Sequence, residues 1–153
     1  MPGYLLDTNH VDGVCRKEAK IIAKLESLPT GTQVRASVIT LGEVEAGHQT
    51  TRTTNQRRRD EWTEQLNAQF LPEALHITPA TRHTYAQIVS GILRAHPKKP
   101  NRRTEFHLVK QGVDINDVWI AASALEHGLT LVTTDHMDCI REAAPHLKIE
   151  CWL

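Results

Sequence analysis

No apolar run in the sequence approaches the roughly 20 residues that a membrane-crossing helix needs. The opening stretch Met-Pro-Gly-Tyr-Leu-Leu-Asp has neither a basic segment nor a long apolar one, so no secretory signal is read there. Cysteines are few, odd in number and scattered: Cys15, Cys139 and Cys151. Such a set argues against a disulfide framework and for a reducing, cytoplasmic setting. CxxC and HxxxH spacings do not occur, which leaves no structural zinc site to build. Net charge is missing too, with 18 basic side chains against 18 acidic ones. A uniformly basic nucleic-acid glove is thereby excluded, but not a local basic patch beside an acidic site. No internal repeat is evident. No GxSxG, P-loop or GxGxxG supplies a nucleophile or a phosphate cradle.

The 153 residues, 40% of them apolar and 24% charged, fit a single domain spanning 1–153. Short apolar runs alternate with longer helical patterns, which predicts an α/β fold, a parallel β-sheet flanked by α-helices on both faces. Residues 3–6 read as a buried strand, and Thr8-Asn9 as the cap of a following helix. A helix is expected over 17–28, a turn at Pro29-Thr30-Gly31, a strand over 33–37 and a helix from Ile39 through Gly47. Trp62, Leu66 and Phe70 recur every four residues in a helix over 56–71. A short strand at 75–77 precedes a helix from Thr78-Pro79 to about Ala95. Residues 96–112, with Pro97 and Pro100, read mainly as loop. Asn116 caps a helix through Glu126 whose apolar face carries Ile120, Ala121, Ala124 and Leu125. Gly128 stops it. Leu129–Val132 is a central-strand run, and a short helix and a strand over 147–151 end the chain.

Four carboxylates fall where such a sheet gathers ligands. Asp7 ends the first strand, and Asp135 lies just past the strand Leu129–Val132. Ligands of open parallel sheets bind outside the carboxyl ends of strands. Asp117 stands in the first turn of its helix, and Glu43 about one turn into the helix after the second strand. Each has an ordinary reading as well. Asp7 and Asp135 can cap helices, and Asp117 can complement a helix dipole. Glu43, inside its helix with Ile39 one turn away, is the hardest to explain as surface. Clustered carboxylates repel, and a hard divalent cation, Mg²⁺ or Mn²⁺, relieves that repulsion. Such an ion acidifies water and clamps a phosphodiester, so metal-dependent phosphodiester hydrolysis is the expected chemistry.

Leu5-Leu6-Asp7-Thr8-Asn9 resembles the opening of PIN domains of the VapC type. Ser37-Val38-Ile39-Thr40-Leu41-Gly42-Glu43 resembles their second segment. Asp117 through Ala124, and Gly128 through Asp135, resemble the third and fourth. The order and spacing of the four blocks cover nearly the whole chain. The resemblance implies a Mg²⁺- or Mn²⁺-dependent endoribonuclease that acts as the toxin of a type II toxin–antitoxin pair. It further implies a homodimer blocked by a small cognate antitoxin whose tail covers the active site. Asp7, Glu43 and Asp117 match the family's metal-ligand acids, and Asp135 its fourth acid. Thr8, Asn9 and Thr133 match polar residues near the site. Asp114 is an extra acid, read as solvent-exposed. The segment from His96 to the Asp117 block is longer than in most relatives.

Two basic groups stand out: Arg52, Arg57, Arg58 and Arg59, and Lys98, Lys99, Arg102 and Arg103. Positive charge beside an acidic site favours RNA, whose binding rests largely on phosphate contacts. The second group is read as guiding substrate, and the first equally as a guide or as surface. The alternative for both is a solvated face or a contact with the acidic parts of an antitoxin. His10 and His136 are read as local surface or capping residues, and Trp62, Trp119 and Trp152 as core or dimer-face aromatics. Three rivals remain: a phosphatase of the haloacid-dehalogenase type, a PIN fold that only binds RNA or protein, and a nuclease acting on DNA. Asn9 stands where the phosphatase needs its second acid.

Overall fold

The computed structural model describes residues 2–52 and 54–153. β1 (Gly3–Leu6) is buried along its whole length. It pairs in parallel with β2 (Gln33–Arg35) on one side and β3 (Thr130–Val132) on the other. β4 (Ile149–Glu150) joins β3, also in parallel, and the sheet order is β2-β1-β3-β4. Parallel neighbours need long crossovers, and helices supply them. These are α1 (Thr8–Cys15), α2 (Ala19–Ser27), α3 (Val38–Thr50), α4 (Gln56–Phe70), α5 (Pro79–Ala95), α6 (Thr104–Lys110), α7 (Ile115–Glu126) and α8 (Asp138–Ala143).

Alternate strand residues face opposite ways, and the chain fills both sides. Leu5 and Leu131 join one core with Ile88, Ile92, Leu108, Val118 and Ile140, from α5 to α8. Tyr4, Leu6 and Val132 join a second core with Val11, Ile21, Val44, Trp62 and Leu66, from α1 to α4. A sheet covered on both faces explains why its central strands are continuously apolar.

Several boundaries differ from the sequence reading. The cap of α1 is Asp7, whose Oδ1 accepts from the His10 amide at 3.0 Å. Ser37 caps α3, which therefore starts a residue before Ile39 and runs beyond Gly47 to Thr50. No strand forms over 75–77 because Leu75 makes only one bridge, to Ser37. Its carbonyl and amide are used by Val38 and Ala36. Asp114, rather than Asn116, caps α7, its carboxylate accepting from the Asn116 amide at 2.7 Å. Gly128, at φ +62°, takes the left-handed conformation that ends the helix.

The largest difference is α6, inside a segment expected to be loop. Leu108 is fully buried. The buried His107 ring donates its Nε2 proton to the His96 carbonyl at 2.7 Å. One apolar anchor and one long-range hydrogen bond hold a seven-residue helix that carries too little pattern to be seen locally.

Candidate active site

The register of β1 and β3 pairs Leu6 with Val132. Asp7 and Thr133 thus stand together one residue beyond, and the Asp7 amide donates to the Val132 carbonyl at 2.9 Å. Asp7 is buried. Its Oδ1 takes two donors, the His10 amide and the His10 ring Nδ1 at 2.7 Å. The other ring nitrogen, Nε2, faces the Trp152 amide at 3.2 Å and must accept from it. Nδ1 therefore carries the proton and donates to Asp7. His10 is fully buried, not a surface residue as its type suggested. Its signal was the inward spacing it shares with Val11 and Val14 on α1.

Glu43, half-buried on α3, is held at both oxygens. The Thr8 hydroxyl donates to Oε2, and Asn116 Nδ2 donates to Oε1 at 2.6 Å. A side chain from α1 and one from α7 thus aim a carboxylate from α3. Sequence alone marks Asn116 as a cap, because its tie to Glu43 spans 73 positions.

Asp135 is exposed, and its Oδ1 accepts from the Met137 amide at 2.9 Å. Thr133 is buried, and its hydroxyl accepts from the Asp135 amide at 3.0 Å. Asn9 Nδ2 donates to the Thr134 hydroxyl at 3.2 Å, tying the start of α1 to this loop. Thr8, Asn9 and Thr133 thus spend these contacts inside the protein, on the acids and the loop carrying one of them.

Asp117, in the first turn of α7, registers the whole assembly. Burial lifts its carboxyl from 3.8 to about 7, and the charges of Asp114, Asp135, Glu43 and Asp7 add to the rise in that order. All four are acids, and three of them, Asp135, Glu43 and Asp7, come from other elements. Asp117 and Asp135 also line one crevice of about 280 Å³ with Gln111 and His136. A larger crevice of about 540 Å³, lined by Arg16, Arg58 and Trp62, holds none of the four acids.

Among the described residues, no three His, Cys, Asp or Glu side chains close into a set that could hold a metal ion. Electrostatic influence reaches farther than a coordination bond, so the acids perturb Asp117 without meeting at ligand distances. The donor chemistry still fits a hard divalent cation: oxygen ligands only, with unbalanced negative charge that a cation would relieve.

The basic groups separate. Arg59 is committed to the protein, donating to the carbonyls of Thr51 and Thr54 at 2.6 and 2.9 Å. Arg57 pairs with Glu61 on the same exposed face. In the second group Lys99 and Arg103 are exposed, while Lys98 and Arg102 are half-buried. Trp62 and Trp152 belong to the core, and Trp119 stacks on Tyr85 with ring centroids 3.8 Å apart.

The family model of the PIN domain matches residues 4–144. Ribonuclease VapC4 of Mycobacterium tuberculosis is 33% identical over 106 residues, 69% of each chain. FitAcB from Neisseria gonorrhoeae superposes with a TM-score of 0.69 at 25% identity, over 95% of each chain. VapBC2 from Rickettsia felis, bound to a DNA fragment from its promoter, superposes with a TM-score of 0.69 at 20% identity, over 99% of each chain.

Proposed function

The chain belongs to the PIN domain family, and on that premise we propose that it is a divalent-metal-dependent endoribonuclease and the toxin of a VapBC-type toxin–antitoxin pair. The observation that carries the chemistry is Asp117, its carboxyl lifted to about 7 by burial and by four neighbouring acids. In this reading Asp7, Glu43 and Asp117 would hold Mg²⁺ or Mn²⁺, with Asp135 as the fourth acid of the site. The ion, when bound, supplies an acidified water and neutralises charge developing on the phosphodiester.

The chain's own residues orient those ligands. Thr8 and Asn116 hold Glu43 at both oxygens. His10 and the α1 cap both use Asp7 Oδ1, which leaves Oδ2 for a ligand. Lys98, Lys99, Arg102 and Arg103 offset the acidic rim and draw in RNA. The toxin role is supported by the relatives, one named a ribonuclease and others crystallised as VapBC or FitAcB assemblies. A cognate antitoxin and a second copy of the chain are the partners this reading expects, in the cytoplasm.

The test is cleavage of structured and unstructured RNAs by the purified chain in Mg²⁺, Mn²⁺ or EDTA, repeated with Asp7→Asn. Asparagine caps a helix as well as aspartate does, so the variant is expected to fold. Cleavage that needs metal and disappears in the variant is the expected result. Equal cleavage by Asp7→Asn refutes the assignment. Growth arrest on expression, relieved by a small neighbouring gene, tests the toxin role separately.

A further inference from the structure

Phe106 and Val109, 64% and 65% exposed, are the two most exposed large apolar side chains among the described residues. They stand three positions apart on α6 and so share one side of it. His107 and Leu108 are the residues α6 buries, so its packing against the protein is complete without Phe106 and Val109. Two neighbouring apolar side chains left in water are open to a contact from outside the chain.

The surroundings are cationic. The Arg103 guanidinium lies 5.7 Å from the Phe106 ring centroid. Lys110 follows Phe106 by one helical turn, and Lys98, Lys99 and Arg102 precede it. The only acid from 96 to 110 is Glu105. It lies close enough to Tyr85 to raise that phenol's pKa, after the larger effect of burial. Past Lys110 the chain reaches Gln111, which lines the same crevice as Asp117 and Asp135. An aromatic ring with a basic border thus leads toward the acidic rim.

We propose that α6 is a stacking platform for single-stranded RNA, on which Phe106 takes a base against its ring while the flanking Lys and Arg residues follow the phosphates. The proposal rests on the nuclease reading above and names the form of RNA that site receives. Every base has a π-face, so a lone aromatic within a basic track binds single strands with little sequence preference. Charge decides against a second copy of this chain. A two-fold contact centred here would bring two basic strips together. Protein-docking cores are also depleted of lysine.

The test is fluorescence anisotropy of a labelled single-stranded RNA on the full chain in EDTA, at several salt concentrations. Phe106→Ala is expected to weaken binding by about 5- to 150-fold. The slope of log affinity against log salt stays unchanged, because no phosphate contact is lost. Phe106→Trp restores the affinity, and binding of a fully paired RNA duplex is the same in all three proteins. Phe106 is exposed, so the melting temperature of Phe106→Ala should match the parent's. If Phe106→Ala binds the single strand like the parent, the platform is refuted, and the nuclease reading stands if metal-dependent cleavage persists. Loss of a dimer in sedimentation, with unchanged RNA affinity, also overturns it and makes the strip a contact between copies. A parent chain that neither binds nor cleaves RNA overturns both readings.

Discussion

Asp117→Asn removes one carboxylate from a rim crowded with them, and the metal-free protein is expected to gain stability from the loss. In the folded chain this carboxyl sits at about 7 rather than 3.8, through burial first and then through Asp114, Asp135, Glu43 and Asp7. In the unfolded chain it keeps its ordinary value. Below about pH 4 the group is protonated in both states and contributes nothing; above about pH 7 it is ionised in both, and the folded state carries the full cost. The penalty therefore grows as pH rises through that window. At 1.36 kcal/mol for each tenfold in proton affinity, the ceiling is about 4 kcal/mol. The side chain is only partly buried, and solvent screening reduces this to about 1–2 kcal/mol. Losing a negative charge from the first turn of α7 returns about 0.3–1 kcal/mol, which leaves a net gain of about 1 kcal/mol. For a domain of this size that is a rise of about 2–4 °C. Thermal unfolding followed by circular dichroism in EDTA, at about pH 4 and about pH 8, reads it. The variant should melt above the parent at the higher pH and with it at the lower. Saturating Mg²⁺ should reverse the order, since a ligand stabilises only the protein that binds it. A variant that melts below its parent at the higher pH in EDTA, or a difference that does not shrink on acidification, refutes the reasoning.

Asn116→Ala deletes the Nδ2 donor 2.6 Å from Glu43 Oε1. It should lower kcat by about 10- to 100-fold, as loss of a partner behind a ligand does. Steady-state kinetics at saturating metal checks it, and an unchanged rate means that Thr8 alone orients Glu43. Reversing the charges of Lys98, Lys99, Arg102 and Arg103 together should weaken RNA binding and flatten its salt dependence. Unchanged affinity and slope would return those residues to the solvated surface.

The sheet, and the placing of the candidate acids at its rim, were legible where pattern is local. The run Leu129–Val132 and the buried opening 3–6 announce the central strands, and the two cores confirm them. The period of Ile120, Ala121 and Ala124 identifies the inward face of α7, where all three are buried. What was lost depends on contacts between distant residues. α6 is held by Leu108 and by a hydrogen bond from His107 to His96, neither visible as periodicity. The burial of His10 depends on Trp152, 142 positions away. Asn116 reads as a cap until α3 brings Glu43 against it. Arg59 reads as part of a basic cluster until the carbonyls of Thr51 and Thr54 claim it.

Asp7 and Asp114 cap their helices, whereas Asp135 holds the Met137 amide without capping α8, whose N-cap is Met137. Asp7 precedes α1, Asp114 precedes α7 and Asp135 stands just before α8, and each lays a carboxylate oxygen on a backbone amide. A parallel sheet crossed by helices brings helix N-termini to the carboxyl ends of its strands. Amides and helix dipoles there favour negative charge, so three acids can sit at one rim with backbone donors to hold them. A capped carboxylate is also a fixed one, since its oxygen is pinned to the main chain and its rotamer with it. That is the preorganisation the proposed metal would need. Asp117 differs. It stands inside the first turn rather than ahead of it, and its proton affinity rises under the charge the others bring. Local sequence rules account for the caps Asp7 and Asp114, whereas the raised proton affinity of Asp117 makes sense only when the rim is considered whole. A residue whose environment opposes its own ionisation is where the proposed cation would relieve the most repulsion.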